Sequence, residues 1–260
     1  MAISDTARAN HDLLFPGHVS TLAVTDPELI EWFDNFAFDE VLHLAPLDTR
    51  IRLITQLGAL IAVGALGEYR MMVGAAFEVG VTPIQVKEIV YQAVPYVGMG
   101  RVFDFLGATN DLLTSRGVAL PLEGQSTTTP DTRYERGLAA QTEIIGAERV
   151  ERLYATADPD QLHIQHLLSA NCFGDHLTRT GLDLPTRELL TFSMLVALGG
   201  CEPQAAGHVA ANLRVGNNRR LLIAVATQLL PFIGYPRTLN ALRVINENAP
   251  ATITPEETSS

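Results

Sequence analysis

Three side chains in the C-terminal half have the types and spacing that proton-transfer or thiol chemistry needs. Cys201, Gln204 and His208 stand at i, i+3 and i+7 in GGCEPQAAGH, offsets that line all three along one stripe of a single helix. Just upstream, Glu188 opens the apolar run TRELLTFSMLVALGG, which can bring a carboxylate to the imidazole. Imidazole titrates near neutral pH and can give or take a proton as a carbanion or enol forms. Glu188 would orient His208 or shuttle its proton, although a glutamate so placed also suits a helix N-terminus.

Cys201 offers a different chemistry. A peroxide-reactive cysteine needs a lowered pKa and a resolving thiol to turn over. Gln204 cannot resolve anything, and Cys172 is remote in sequence. A lone cysteine is ordinarily a small buried hydrophobe. Around this trio, Gln204 and Gln228 are candidate hydrogen-bond partners for a substrate carbonyl or carboxylate, and Glu68 is a candidate second acid. Arg50, Arg70 and Arg187 offer the guanidinium fork that clamps a carboxylate, a residue type more often found in surface ion pairs. His163 and His166 share a helical face without an evident third ligand, so no metal site is expected. The sequence contains no phosphate loop, dinucleotide glycine pattern or nucleophile elbow, and no cofactor is expected.

The elements that must position these residues occur twice. Gly80 and Gly216, Gln92 and Gln228, Pro95 and Pro231, Gly98 and Gly234, and Arg101 and Arg237 are each 136 residues apart. Segments 68–110 and 204–246 share ten identities in 43 gap-free positions, several times chance and concentrated at turn residues. The chain is an internal duplication. In the first copy Glu68 stands at the Gln204 position and Met72 at the His208 position, with no cysteine. That copy cannot run thiol chemistry and is expected to supply structure or walls of a site built by the second.

Each copy reads as helices. Asp26 and Pro27 suit a helix start, with Leu29, Trp32, Phe33 and Phe36 as its apolar face and Trp32 as a core anchor. Leu47–Leu66 is apolar nearly all round and is expected to be sandwiched. Glu68–Val79 should end at the left-handed Gly80, and Thr82-Pro-Ile-Gln85 supplies a capping box for the next helix. In that helix Val86, Ile89, Ala93 and Val97 recur at helical spacing, repeated by Leu222, Val225, Leu229 and Ile233. With little period-two alternation, the expected class is all-α. The expected division is a first copy over 1–120 with an irregular arm over 1–25, a linker over 121–132 rich in Pro, Ser and Thr, a second copy over 133–248, and a disordered tail over 249–260. Two short helices are expected after the linker, and Phe173 should do in the second copy what Phe38 does in the first. Tyr96 and Tyr235, beside the repeated proline-glycine turn, are expected to pack.

Composition narrows the function classes. At 260 residues and 47% hydrophobic content the chain can bury a sizeable core. A formal charge of −11 argues against nucleic-acid or anionic-membrane partners. No run approaches the roughly 18 apolar residues of a spanning helix, the N-terminus lacks the order of a signal peptide, and two cysteines do not make a disulfide framework. A cytoplasmic setting is expected.

The residues resemble the carboxymuconolactone decarboxylase family in tandem form. The resemblance rests on LPTRELLTFSMLVALGG, GCEPQAAGH, the VGN turn and TQLLPFIGYPRTLNAL, with LDTRIRLITQLGALIA, GEYRMMVGAAFEVGVTPIQVKEIV and YQAVPYVGMGR in the first copy. It implies a helical fold of the alkylhydroperoxidase D type and a homo-oligomer, a trimer of tandem chains or a multiple of it. It also implies one of two chemistries: thiol peroxidation through Cys-x-x-Cys-x-x-x-His, or cofactor-independent decarboxylation of a small carboxylated lactone. Cys201 matches the first cysteine, His208 the histidine, and Glu188 lies close to the family's glutamate. Gln204 replaces the second cysteine, which favours a decarboxylase or related lyase or isomerase. A peroxidase using Cys201 and a non-catalytic member of the fold are the alternatives.

Overall fold

A computed structural model describes residues 2–251, so residues 252–260 of the expected tail lie outside it. Among the described residues all regular structure is helical. The first copy contains α1 (Asp5–Leu14), α2 (Leu22–Thr25), α3 (Pro27–Asn35), a wide π-helical segment (Phe36–Glu40), α4 (Val41–Leu44), α5 (Thr49–Val63), α6 (Leu66–Glu78), α7 (Pro83–Val97) and α8 (Met99–Ser115). The second contains α9 (Arg133–Ile145), α10 (Ala147–Ala155), α11 (Leu162–Leu167), a second π-helical segment (Leu168–Leu177), α12 (Leu184–Leu198), α13 (Glu202–Arg214), α14 (Arg219–Ile233) and α15 (Tyr235–Asn248).

The centre is the pair α5 and α12, one from each copy, packed against each other. As expected of a sandwiched helix, α5 is buried from Arg52 to Ala62. The two axes approach closely because Gly58 has no side chain: a Cβ there would lie 2.3 Å from Leu190 Cδ1. Helices α7 and α14 flank this pair, and their repeated apolar faces are buried (Val86, Ile89, Ala93; Leu222, Val225, Leu229). Both bonds of the capping box at Thr82 and Gln85 are present, and Gly80 takes the left-handed conformation at φ +82°.

Three expectations about the periphery are corrected. The N-terminal arm is not irregular: Ser4 caps α1, and α1 lies on the first π segment as α9 lies on the second. Ser4 binds Asn35 and Asp39 across that contact. Trp32 is no core anchor, since it and Leu29 are both 57% exposed. The wider turn beginning at Phe36 shifts the phase of the apolar stripe, so Phe38 is buried and Phe33 packs edge-on against Phe38 and Phe232. Phe173 is likewise buried in the second π segment, matching Phe38. Tyr235 is 62% exposed rather than packed.

The linker is irregular, as its composition implies, but tied down. Thr127 and Thr128 hydroxyls donate to the carbonyls of Thr178 and Gly174, and the Thr180 amide donates to Gln125 O.

Candidate active site

Glu188 and His208 meet. Asp183 caps α12 by accepting from the Thr186 amide at 2.8 Å, and Pro185 lies in the first turn, which sets the phase of the helix. Glu188 then points at α13, and its Oε2 lies 2.8 Å from His208 Nδ1. Glu188 is fully buried and the His208 side chain is 15% exposed, so the imidazole is shielded without being sealed. The other carboxylate oxygen, Oε1, is buried without a hydrogen-bond partner. With Nδ1 donating to the carboxylate, Nε2 is left as the proton-accepting nitrogen.

The two helices are locked in this register by residues that the sequence reading passed over. Asn212, fully buried, donates to the carbonyls of both Glu188 and His208 at 3.1 and 2.7 Å. Its own oxygen accepts from Asn217 at 2.8 Å, and Asn217 also donates to Pro185 O. Their counterparts at the 136-residue spacing are Ala76 and Val81, so the brace belongs to the second copy alone. That copy-to-copy contrast was the available signal.

Tyr96 comes from the first copy. It reaches across to stand edge-on to the His208 ring, centroids 5.9 Å apart, and its hydroxyl lies 3.9 Å from Cys172 Sγ. Burial raises the Tyr96 pKa well above the ordinary phenol value, the neighbouring Cys172 and Glu188 add to this, and a hydrogen bond with Thr191 opposes it. Tyr96 therefore stays a neutral donor. Its counterpart is Phe232, so here too a polar atom is added at one copy only. The expectation that Tyr96 merely packs misses that hydroxyl.

The thiols do not meet. Both cysteines are free; Cys201 Sγ donates to Leu195 O at 3.2 Å, whereas Cys172 is buried beside Tyr96. Burial, with Glu202 nearby, raises the Cys201 pKa, and burial pushes Cys172 up to about 12. Both shifts run against nucleophilic use.

The expected substrate contacts fare differently. Gln204 is exposed on α13, one turn before His208. Gln228 is 1% exposed and its amide nitrogen donates to the carbonyls of Val41 and Ala45, which makes it a structural tie between copies rather than a substrate contact. Arg70 is exposed and faces Asp111 at 3.5 Å, and Glu68 is exposed at the start of α6. Neither joins the dyad. Arg50 donates to Gln85, and Arg187 is wholly buried in a network with Glu88, Gln92 and two carbonyls, so neither is a clamp at His208. His166 packs against the rings of Tyr134 and Tyr154.

In the first copy α5, the counterpart of α12, carries no acid, and Met72 stands at the His208 position. Met72 is buried, and Arg52 is buried with its Nε unpartnered. Among the described residues the first copy has no counterpart of the Glu188–His208 pair.

The carboxymuconolactone decarboxylase family model matches residues 27–111 and again 163–247, which is well over half the chain. A 4-carboxymuconolactone decarboxylase of Acinetobacter baylyi is 27% identical over 117 residues, covering 45% of this chain and 87% of that protein. Nearly a whole relative thus fits on less than half of this molecule, as a doubled chain requires. With two matched segments at the spacing of the internal repeat, the chain belongs to the carboxymuconolactone decarboxylase family.

Proposed function

We propose that the chain is a decarboxylase-like enzyme acting without a cofactor on a small carboxylated lactone or related organic acid. The observation that carries this is the 2.8 Å contact between His208 Nδ1 and a fully buried Glu188, which leaves Nε2 as the dyad nitrogen to exchange a proton with a substrate. In the reaction Nε2 takes the proton of the substrate's carboxyl group, the bond to the carboxylate carbon breaks and CO2 leaves. The electron pair delocalises into the lactone carbonyl, and the imidazolium returns a proton to carbon. Glu188 holds the tautomer and stabilises the imidazolium, the part an acid plays behind a catalytic histidine. Tyr96, kept protonated, is proposed to donate a hydrogen bond to charge developing on oxygen. Gln204, on the same face of α13, is proposed to hold the polar end.

The relative's printed name supplies the probe, 4-carboxymuconolactone. Purified protein should release CO2 from it or from a close analogue. His208→Ala should lower kcat by about 10²–10⁴ while the helical circular dichroism signal is retained, and Glu188→Gln should fall between the two. Full turnover in the alanine variant would remove the histidine from the mechanism. The thiol-peroxidase reading loses ground on the same geometry, because Cys201 is committed to a backbone carbonyl and no thiol stands at Gln204.

A further inference from the structure

The duplication places a groove on each copy between the first half of its long flanking helix and the segment leading into the central helix. One groove is walled by α14 residues Arg220, Ile223, Ala224 and Thr227 with Leu44 and Pro46. At the 136-residue spacing those four α14 positions become Ile84, Lys87, Glu88 and Tyr91 on α7. The second groove has these residues, and Arg179 and the linker residues Leu120 to Gln125 complete it as a cleft of about 360 Å³. The related groove on the other copy has one cation, Arg220, no carboxylate and no linker cover.

The charges in the α7 cleft do not balance. Glu88, 1% exposed, is the shared acceptor for Arg179 and Arg187. Arg179 spends Nε and Nη2 on it, leaving Nη1 unbonded among the described residues. Lys87, 9% exposed, has Asn110 Oδ1 as its hydrogen-bond acceptor. Glu123 lies at the exposed rim. Lys87 and Arg179 in the cleft, with Arg187 behind its wall, thus face two carboxylates, the buried Glu88 and the exposed Glu123, in a chain whose formal charge is −11. Burial lowers the Lys87 pKa. Both Lys87 and Arg179 also flank the Tyr91 ring, at 5.8 and 5.1 Å from its centroid. Ile84, Leu120, Pro121 and Leu122 give the cleft an apolar side.

We propose that this cleft is a binding site for a small organic carboxylate, separate from the His208 dyad. The unspent donors of Lys87 and Arg179 would take the carboxylate, and the aliphatic wall would take its carbon skeleton. Arg187 ties the cleft to the dyad along α12, since its neighbour Glu188 holds His208.

The test is calorimetric titration at constant ionic strength with sodium benzoate, its neutral isostere benzamide, and inorganic phosphate. Wild-type protein and His208→Ala should bind benzoate with equal affinity and bind benzamide not at all. Lys87→Gln should weaken benzoate about ten- to hundredfold, the range of one lost charge-assisted hydrogen bond. Arg179→Lys, which keeps the charge and loses the fork, should weaken it less. Circular dichroism checks that each variant is folded. The proposal is overturned by an absent benzoate isotherm, by equal binding of benzamide, by phosphate binding without benzoate binding, or by full affinity in both folded cleft variants. Benzoate binding lost in His208→Ala but kept in Lys87→Gln would put the carboxylate at the dyad instead, and would overturn this proposal while leaving the catalytic one standing.

Discussion

Single residues set the chemistry of the site by differing between the copies. Tyr96 and Asn212 each add a polar group where the other copy has Phe232 and Ala76. Because the paired positions share a fold, each substitution is tolerated by the backbone and its effect falls on the site. Tyr96→Phe therefore restores the counterpart's side chain and should leave thermal stability nearly unchanged while lowering kcat about tenfold, one lost hydrogen bond in the transition state. A kcat equal to wild type would show that the hydroxyl only packs. At Cys201 the raised pKa has a signed consequence: the thiolate fraction at a given pH is smaller than that of an ordinary cysteine. Alkylation by iodoacetamide at pH 7.5 should be slower than that of free cysteine, and faster labelling would reopen the peroxidase reading.

At the scale of elements, the crossing of α9 over the second π segment carries the most exacting fit. A Cβ on Gly137 would stand 1.9 Å from Ser169 O, and one on Gly174 would stand 2.1 Å from Arg133 O. Both obstacles are backbone, so neither can turn aside. Gly137→Ala should cost about 3 kcal/mol in chemical denaturation, and a change below 0.5 kcal/mol would mean that the helices separate freely. The same segment holds His176, whose Nδ1 is buried without a partner. Burial lowers its pKa below 6.5, against the opposing charge of Asp175. A group depressed on folding contributes stability above its unfolded pKa and loses it as pH falls through the folded one. Thermal stability should thus decline as pH drops below about 6.5, and His176→Gln should flatten that decline. A variant with the wild-type slope would assign the effect to other histidines.

For the molecule as a whole, the homo-oligomer implied by the family resemblance is a further proposal. Sedimentation equilibrium should return three chains or a multiple, and Trp32, exposed in the single chain, reports by a blue-shifted emission whether association covers it. A monomer at micromolar concentration would remove the proposal. Helix class, the duplication and the Glu188–His208 pairing were all legible in the letters, because helical spacing, turn glycines and a constant offset are local or repeated signals. The capping box at Thr82 and the sandwiched α5 were read for the same reason. Trp32, Gln228 and the N-terminal helix were misjudged because their fates depend on packing between elements rather than on spacing along one helix. A π turn rotated the stripe bearing Trp32, helix ends of the first copy claimed the amide of Gln228, and the neighbouring copy brought Tyr96 to the imidazole. Periodicity tells which face of a helix is apolar; only packing of the two copies decides which polar group on that face is left with chemistry to do.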